Sequence, residues 1–402
     1  MRTLLVVSVV IAAGCGGKSE QAHGGVTRIT YDVDLEKVVE DRAMEIKRDL
    51  EASPATGTSV SLSATGTITA TPGDPSKTPE LRETIGTSYR DLVEMRACAA
   101  DAVPGAVCFA ITAPYAATVK KAALAQVAKT VENRLVELKL PGATAVAKGD
   151  QIVVELRGSS ADLLAAMRKL LPRSGVLEFM VVDDGTAFMK RVFQKVGSDG
   201  MEGKATDPEA RDAGISGGID QWRPEDIDEQ HSDFYVRGPE LHSLERYFAR
   251  LAATDPMFVV PPDRVLRFEL LDPELPGDKP LWRSYLLEGK PVITGAAIAS
   301  AETKMDPNIH RPLVLLDFSR EGSRTFGDIT ARIAGKKLAI VLDGTVKSAP
   351  IINGPIRGGR ASITMGGTDP VAQLQDATDL ALVLRSGSLP TPLREVAVDV
   401  IP

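Results

Sequence analysis

The chain reads as an α+β protein: a ferredoxin-like base of two related βαββαβ units, with a small α+β head subdomain inserted before the last helix and strand. Three observations predict this. Between Val26 and Val182 the succession helix, hairpin, helix, strand occurs twice in the hydrophobic pattern. From Val292 to Met365 a second run of short strands surrounds one amphipathic helix. The 402 residues, 43% hydrophobic and 25% charged, suffice for two or three domains with a buried core.

The base (26–182) opens with a strand over Val26 to Val33. A helix follows over Leu35 to Leu50, whose charged majority leaves one apolar stripe, Val38, Val39, Ile46 and Leu50. Thr56 to Thr71 alternates as a hairpin does, broken near Gly66. A second helix over Pro79 to Ala97 and a strand over Ala106 to Thr112 complete the first unit. The second unit shares that strand. Its helix, Thr118 to Leu140, sets Val119, Ala123, Val127, Val131, Leu135 and Leu138 on one face. Lys148-Gly149-Asp150 then turns a short hairpin, Ser159 or Ser160 caps a helix through Leu171, and Gly175 to Val182 is a strand.

Over 183–290 the periodicity weakens, which predicts a partly ordered insertion with order around Leu241 to Leu251 and Val265 to Leu271. The head (291–366) contains a strand over Pro312 to Phe318. Ser319 caps a helix carrying Phe326, Ile329 and Ile333, and Gly335 stops it. Lys336 and Lys337 sit where the helix dipole favours cations. Asp343-Gly344 is a strong hairpin signal between Lys337–Leu342 and Thr345–Ile352, and Pro350 sends the second strand to an edge or a bulge. Gly358-Gly359 turns the chain into a strand over Ala361 to Met365. The expected result is a β-meander crossed by one helix, followed by a last helix (Val371 to Leu384) that Leu389 to Pro392 lead away from.

The N-terminus reads as a secretory signal over residues 1–14: Arg2, then the apolar run Leu4 to Ala13, then small residues. Ten apolar residues span about 15 Å as a helix, half of the ~30 Å hydrocarbon core, so the run is not a spanning anchor. Cys15 follows the small residues as in a lipobox and is the candidate lipidation site, with 15–25 as lipidated Cys and tether; an incidental Cys near a cleavage site is the alternative. Cys98 and Cys108 bracket a short loop and are a candidate disulfide in an oxidising compartment, against two buried thiols. The net charge of -7 gives no reason to expect nucleic acid as a partner.

No catalytic, cofactor or metal site is expected. Ser216 lies in a G-x-S-x-G pattern, but in a Gly-rich acidic stretch rather than a strand-to-helix elbow. Gly17-Lys18-Ser19 lacks the first glycine of a phosphate loop. His23, His231, His242 and His310 show no zinc spacing and are expected in solvent, as are Asp183 and Asp184 at a strand end; Trp222 and Trp282 are expected to pack locally.

The stretch GKKLAIVLDGTVKSAPIINGPI from Gly335 to Ile356, followed by RGGR, ITMGG and LVLRSGSLPTPL, resembles the periplasmic region of the SecD family of protein-export subunits. Gly335, Asp343, Gly344, Ser348, Ala349, Pro350, Gly358 and Gly359 are the signature residues of this resemblance. Further blocks agree in order: YDVDLEKVVEDRAMEIKRDL at Tyr31, ALAQVAKTVENRLVELKL with Asn133 and Arg134, GDQIVVELRG, GVLEFMVVDD, and VITGAAIASAETKMDP at Val292. The resemblance implies a base to which residues 367–402 return a helix and a strand, and a head that swings relative to it while engaging emerging preprotein. It also implies unfolded or translocating polypeptide and Sec translocon components as partners, with membrane attachment through lipid alone.

The family's Asp-x-x-Gly-Gly motif survives only as Gly24-Gly25, with Gln21 at the Asp position, and the membrane half with its proton carriers is expected to be absent. The reading is therefore a non-enzymatic periplasmic lipoprotein that assists export without proton coupling of its own. The alternative is a stand-alone envelope binding protein that kept the fold without translocon contact. Whether the anchor sits in the inner or outer membrane stays open.

Overall fold

The computed structural model describes residues 25–401 apart from 52–56, 141, 159, 198–206, 224–229, 274–278, 308–309 and 366–368. The signal segment and Cys15 lie outside the described residues, as does the tether up to residue 24. In chain order the elements are β1 (Val26–Val33), α1 (Leu35–Glu51), β2 (Ser59–Leu62), β3 (Ile68–Thr71), α2 (Thr78–Ser88), β4 (Val93–Arg96), β5 (Val107–Ile111), α3 (Ala113–Glu137), β6 (Thr144–Lys148), β7 (Gln151–Arg157), α4 (Ala161–Leu170) and β8 (Leu177–Val181). Then come α5 (Ala187–Val196), α6 (Pro208–Asp212), β9 (Ser216–Trp222), β10 (His231–Gly238), α7 (Leu241–Thr254), β11 (Arg264–Leu271), β12 (Leu281–Glu288) and β13 (Ile293–Thr294). The chain ends with β14 (Ile298–Met305), β15 (Pro312–Phe318), α8 (Arg320–Arg332), β16 (Leu338–Leu342), β17 (Thr345–Ser348), β18 (Arg360–Thr364), α9 (Pro370–Ser386) and β19 (Leu393–Ile401).

A ferredoxin-like sheet is present, but its strands come from far apart in the chain. It runs β19-β1-β7-β6, antiparallel throughout, so β1, β6, β7 and β19 occupy the first to fourth strand positions of that fold. β1 buries Ile29, Tyr31 and Val33 on alternate positions. α3, capped by the Thr112 hydroxyl accepting from the Tyr115 N–H, lays Val127, Val131 and Leu135 against them, and α4 adds Met167.

The sequence partition differs from this one. The chain between β1 and α3 makes a separate sheet, β2-β3-β5-β4, with α1 and α2 in its own core around Ile46, Ile68, Leu81 and Phe109. β5 belongs to that sheet alone rather than being shared. The helix expected over Pro79 to Ala97 stops at Ser88 because Asp91 adopts a φ of 64°, outside the helical region, and Val93–Arg96 then pairs with β5 as a strand.

The head is not a simple meander. β14, β15 and β18 form a three-stranded sheet, whereas the hairpin β16–β17 enters an eight-stranded sheet in the order β13-β8-β16-β17-β11-β12-β10-β9. The head core lies between the two sheets, with Phe179, Val314, Phe318, Phe326 and Ile340 joined by Ala377, Leu380 and Ala381 of α9. The last helix thus packs in the head, and only β19 returns to the base sheet.

The stretch over 183–290 is largely folded, around Phe188, Val192, Val236, Leu244, Tyr247 and Leu251. Its pattern is faint because every position of β11 but one is half-buried, and because β9 contains Gly217-Gly218, where a Cβ on Gly218 would lie 2.3 Å from the Tyr235 ring. β11 pairs in parallel with β17 (Phe268↔Thr345, Glu269↔Val346), so this unit and the head share one sheet. A bridge at Val182↔Leu287 brings β8 to β12 and closes β8, β16, β17, β11 and β12 into a small barrel filled by Met180, Val182, Tyr285, Leu287, Ala339, Val341 and Val346. Among the described residues no helix is long and apolar enough to cross a membrane.

Candidate functional site

The signature residues of the head form its frame. At the hairpin tip the Asp343 N–H donates to the Val176 carbonyl (2.9 Å), and Asp343 Oδ1 accepts from the Val176 N–H (2.9 Å), which ties the Asp343-Gly344 turn to the start of β8. Ser348 pairs with Ile340, and Ala349 packs on the barrel core. The Pro350 carbonyl accepts from Leu338 (3.0 Å), so the chain beyond β17 still pairs with β16. β17 is flanked by β16 and β11 and is no free edge; of the two expectations for the strand carrying Pro350, an edge or a bulge, the pair shows the bulge, its register shifting between Ile340↔Ser348 and Val341↔Val346. Gly335 donates to the Ile352 carbonyl, and Gly359 accepts from Phe318; a Cβ on Gly359 would lie 2.3 Å from Ser323 Oγ. Gly358 has open space around it.

Among the described residues the free edge in this part of the head belongs to β18, which pairs there with β15 alone. Between it and β17 runs a groove of about 520 Å³, lined by Leu342, Val346, Thr364, Met365 and Leu380, with Leu270 from β11. Arg173, Lys347, Asp272 and Asp376 place both signs of charge along it. An apolar floor beside a strand edge with unpaired N–H and C=O groups suits an extended peptide of varied sequence, because backbone pairing does not read side chains.

A cluster of buried charge closes one end of the barrel. Lys337 Nζ donates to Asp220 Oδ2 (2.6 Å) and Asp233 Oδ2 (2.8 Å), and Arg283 Nη2 donates to the same two atoms at 2.6 and 2.8 Å. The Arg283 guanidinium lies between the Tyr235 ring (3.8 Å) and the Tyr285 ring (4.6 Å), and Lys337 lies 4.8 Å from the Trp222 ring. Burial pushes the Asp233 carboxyl up despite both cations; at Asp220 burial acts the same way, but Lys337 and Arg283 outweigh it and hold the group down.

Several sequence expectations change here. Lys337 is 6% exposed and serves the cluster rather than the α8 dipole. Trp222 reaches across to donate from Nε1 to the Gly335 carbonyl (2.8 Å). His231 is half-buried, stacked on Trp222 and bonded through Nδ1 to Asp184 (2.8 Å), while Asp183 pairs with Arg264, so neither acid is merely solvated.

Cys98 and Cys108 stand with Cα atoms 5.2 Å apart and sulfurs 2.10 Å apart beside the β4–β5 pair. Ser216 begins β9, paired with Arg237, with no helix after it to form an elbow. His242 and His310 are exposed, and among the described residues no group of three His, Cys, Asp or Glu is placed to hold a metal.

The family model for the SecDF P1 head subdomain matches residues 272–391. The chain is similar to the protein translocase subunit SecD of Desulfurispirillum indicum, 44% identical over 109 residues, which cover 27% of this chain and 20% of that protein. It is similar also to the protein translocase subunit SecDF of Thermus thermophilus, 43% identical over 113 residues, covering 28% of this chain and 15% of that protein. These matches thus span a fifth or less of each relative. A solved structure of SecDF, described as a membrane component that enhances protein export, aligns over 70% of this chain and 94% of its own at 28% identity; its TM-score of 0.42 is too low to add to the sequence match. Residues 272–391 are thus similar in sequence to the SecDF P1 head subdomain, and α9 lies within the matched stretch.

Proposed function

We propose, from a head whose sequence matches that of SecD-type translocase subunits, that this chain works in protein export at the outer face of the membrane and holds emerging polypeptide in the groove between β17 and β18. The observation that carries the reading is the match of residues 272–391 to the SecDF P1 head, beside 44% identity over 109 residues to a SecD subunit. The β18 edge and apolar groove supply chemistry suited to an unfolded chain. Sec translocon components are the expected neighbours. The chain contributes binding and release rather than bond chemistry or proton coupling.

Photo-crosslinking groups at Thr345 in the groove and Arg357 elsewhere in the head should capture a secretory protein during its translocation, whereas the same group at Val146 in the base should not. Equal capture from all three positions, or none from the groove, sinks the reading. Adducts with folded envelope proteins and none with secretory chains would favour the stand-alone envelope binder.

Attachment through a diacylglyceryl group on Cys15 belongs to the same proposal. Cys15→Ser should leave an unprocessed or soluble protein, and unchanged membrane attachment would refute the anchor. In that oxidising compartment Cys98 and Cys108 are a disulfide, so thiol titration of the unreduced protein should find neither of them free.

A further inference from the structure

The ferredoxin-like sheet has one face under α3 and α4, while the hollow on its other face is lined, among the described residues, by β1, β6, β7 and β19 alone. Strand register sorts that open face into rows that cross all four strands. The middle row is uncharged and short: Ala397, Thr30, Val153 and Val146, the last 59% exposed. On one side of it lie Asp399, Arg28, Glu155 and Thr144. On the other lie Arg394, Asp32, Gln151 and Lys148.

Asp399, Glu155 and Asp32 balance Arg28, Arg394 and Lys148, so these rows are neutral on a chain whose net charge is -7. Within the chain Arg28 holds Glu155 (2.7 Å) and Arg394 holds Asp32 (2.8 Å). Turning a second copy over about an axis along the middle row keeps the strand order and exchanges the two outer rows. Asp399 then faces Arg394 of the second copy, Arg28 faces its Asp32, Glu155 its Gln151 and Thr144 its Lys148. No like charges oppose. Arg28 and Asp399 of one copy, with Asp32 and Arg394 of the other, make a set of alternating sign, and the two-fold axis generates that set twice. A two-fold axis along the strands would instead set Arg394 against Lys148.

We propose that this open face pairs with the same face of a second copy of the chain, two sheets packed face to face with the uncharged rows at the centre. The three rows extend over about 20 Å across the strands and about 17 Å along them. That is small beside the roughly 1,200–2,000 Å² in total that specific interfaces bury, so the dimer is weak and forms and parts readily. The groove between β17 and β18 takes no part in it.

Sedimentation equilibrium of the full chain in mild detergent should show a monomer–dimer equilibrium with a dissociation constant on the order of 10–100 μM. Asp399→Arg alone and Arg394→Asp alone each oppose like charges at two places, and each should weaken the dimer about tenfold or more. Mixed in equal amounts the two variants should regain it to within about threefold of the parent, because each then meets the opposite charge on the other. A parent that stays monomeric to about 1 mM overturns the proposal. So do single variants that associate like the parent, which would place the contact elsewhere, and a mixture that associates no better than its components. Both positions are exposed, Arg394 with 79% of its side chain in solvent. If either variant does not fold, Val146→Asp serves: it sets two carboxylates face to face on the axis and should weaken the dimer at least as much, and unchanged association there overturns the proposal too.

Discussion

Arg283 and Arg134 are both buried, at 8% and 0% exposure, and are held in opposite ways. Arg283 sits with Lys337 against two carboxylates and between two tyrosine rings, a set of two cations and two anions that neutralises itself. Arg134 keeps its charge against carbonyls and a hydroxyl, and burial drives its guanidinium down to about 10. The first arrangement ties the β9–β10 arm to the start of β16 and resists opening, since separating the partners strands charge in a dry site. The second ties the end of α4 to the end of α9 through the Leu170, Leu171 and Gly387 carbonyls and Ser386 Oγ, and giving it up strands only dipoles and one cation. The lesson is that burial alone does not say how firmly a buried charge is held; the acceptor chemistry does.

The largest effect expected from this contrast is at Asp233. Asp233→Ala leaves Lys337 and Arg283 sharing Asp220 alone, and should destabilise the protein by about 3–5 kcal/mol in denaturant unfolding. A cost of ~1 kcal/mol or less would show that the cluster is wet, and the contrast with Arg134 would disappear.

Arg134→Lys tests the other side. It keeps the charge but loses the planar fork that reaches both helix ends, so it should cost roughly 1–3 kcal/mol, less than Asp233→Ala. If it costs more, the carbonyl-held arginine is the more firmly held of the two centres.

The limits of legibility in the sequence follow the same divide. Local patterns were readable: the Asp343-Gly344 turn, the Ser319 cap, and the α3 stripe of Val127, Val131 and Leu135 all fold as their spacing suggests. Pairings between distant segments were not readable from local pattern, and the return of the last strand to the base came only with the resemblance. Nothing near β1 announces that its neighbour is β19, more than 360 residues away, because an edge partner leaves no mark on local alternation. Lys337 satisfies a helix-dipole argument and a strand argument equally well, and only Asp220 and Asp233 opposite it decide. Asn133-Arg134 stood out only by resemblance; a charged residue on the apolar stripe of α3, three residues after Val131 and one before Leu135, was the physical signal that a buried role awaited it.

Glu269 offers the finest test, because it lies next to the cluster without belonging to it. Its carboxylate accepts from the Tyr285 hydroxyl (2.7 Å), and burial raises it above its ordinary 4.5, although that bond, Arg283 and Lys337 all pull the other way. A raised carboxyl in the fold means that the folded state takes up its proton before the unfolded chain does. Stability is therefore reduced at neutral pH and recovers as pH falls through the raised value toward 4.5, below which both states are protonated. Glu269→Gln should accordingly be more stable than the parent at pH 7, by an amount that fades as pH approaches 4.5 in paired denaturant titrations. A glutamine variant less stable at pH 7 would mean that attraction to Arg283 and Lys337 outweighs burial. The self-neutralised set would then extend to a third carboxylate, and the division between a closed clamp and its surroundings would have to be redrawn around Glu269.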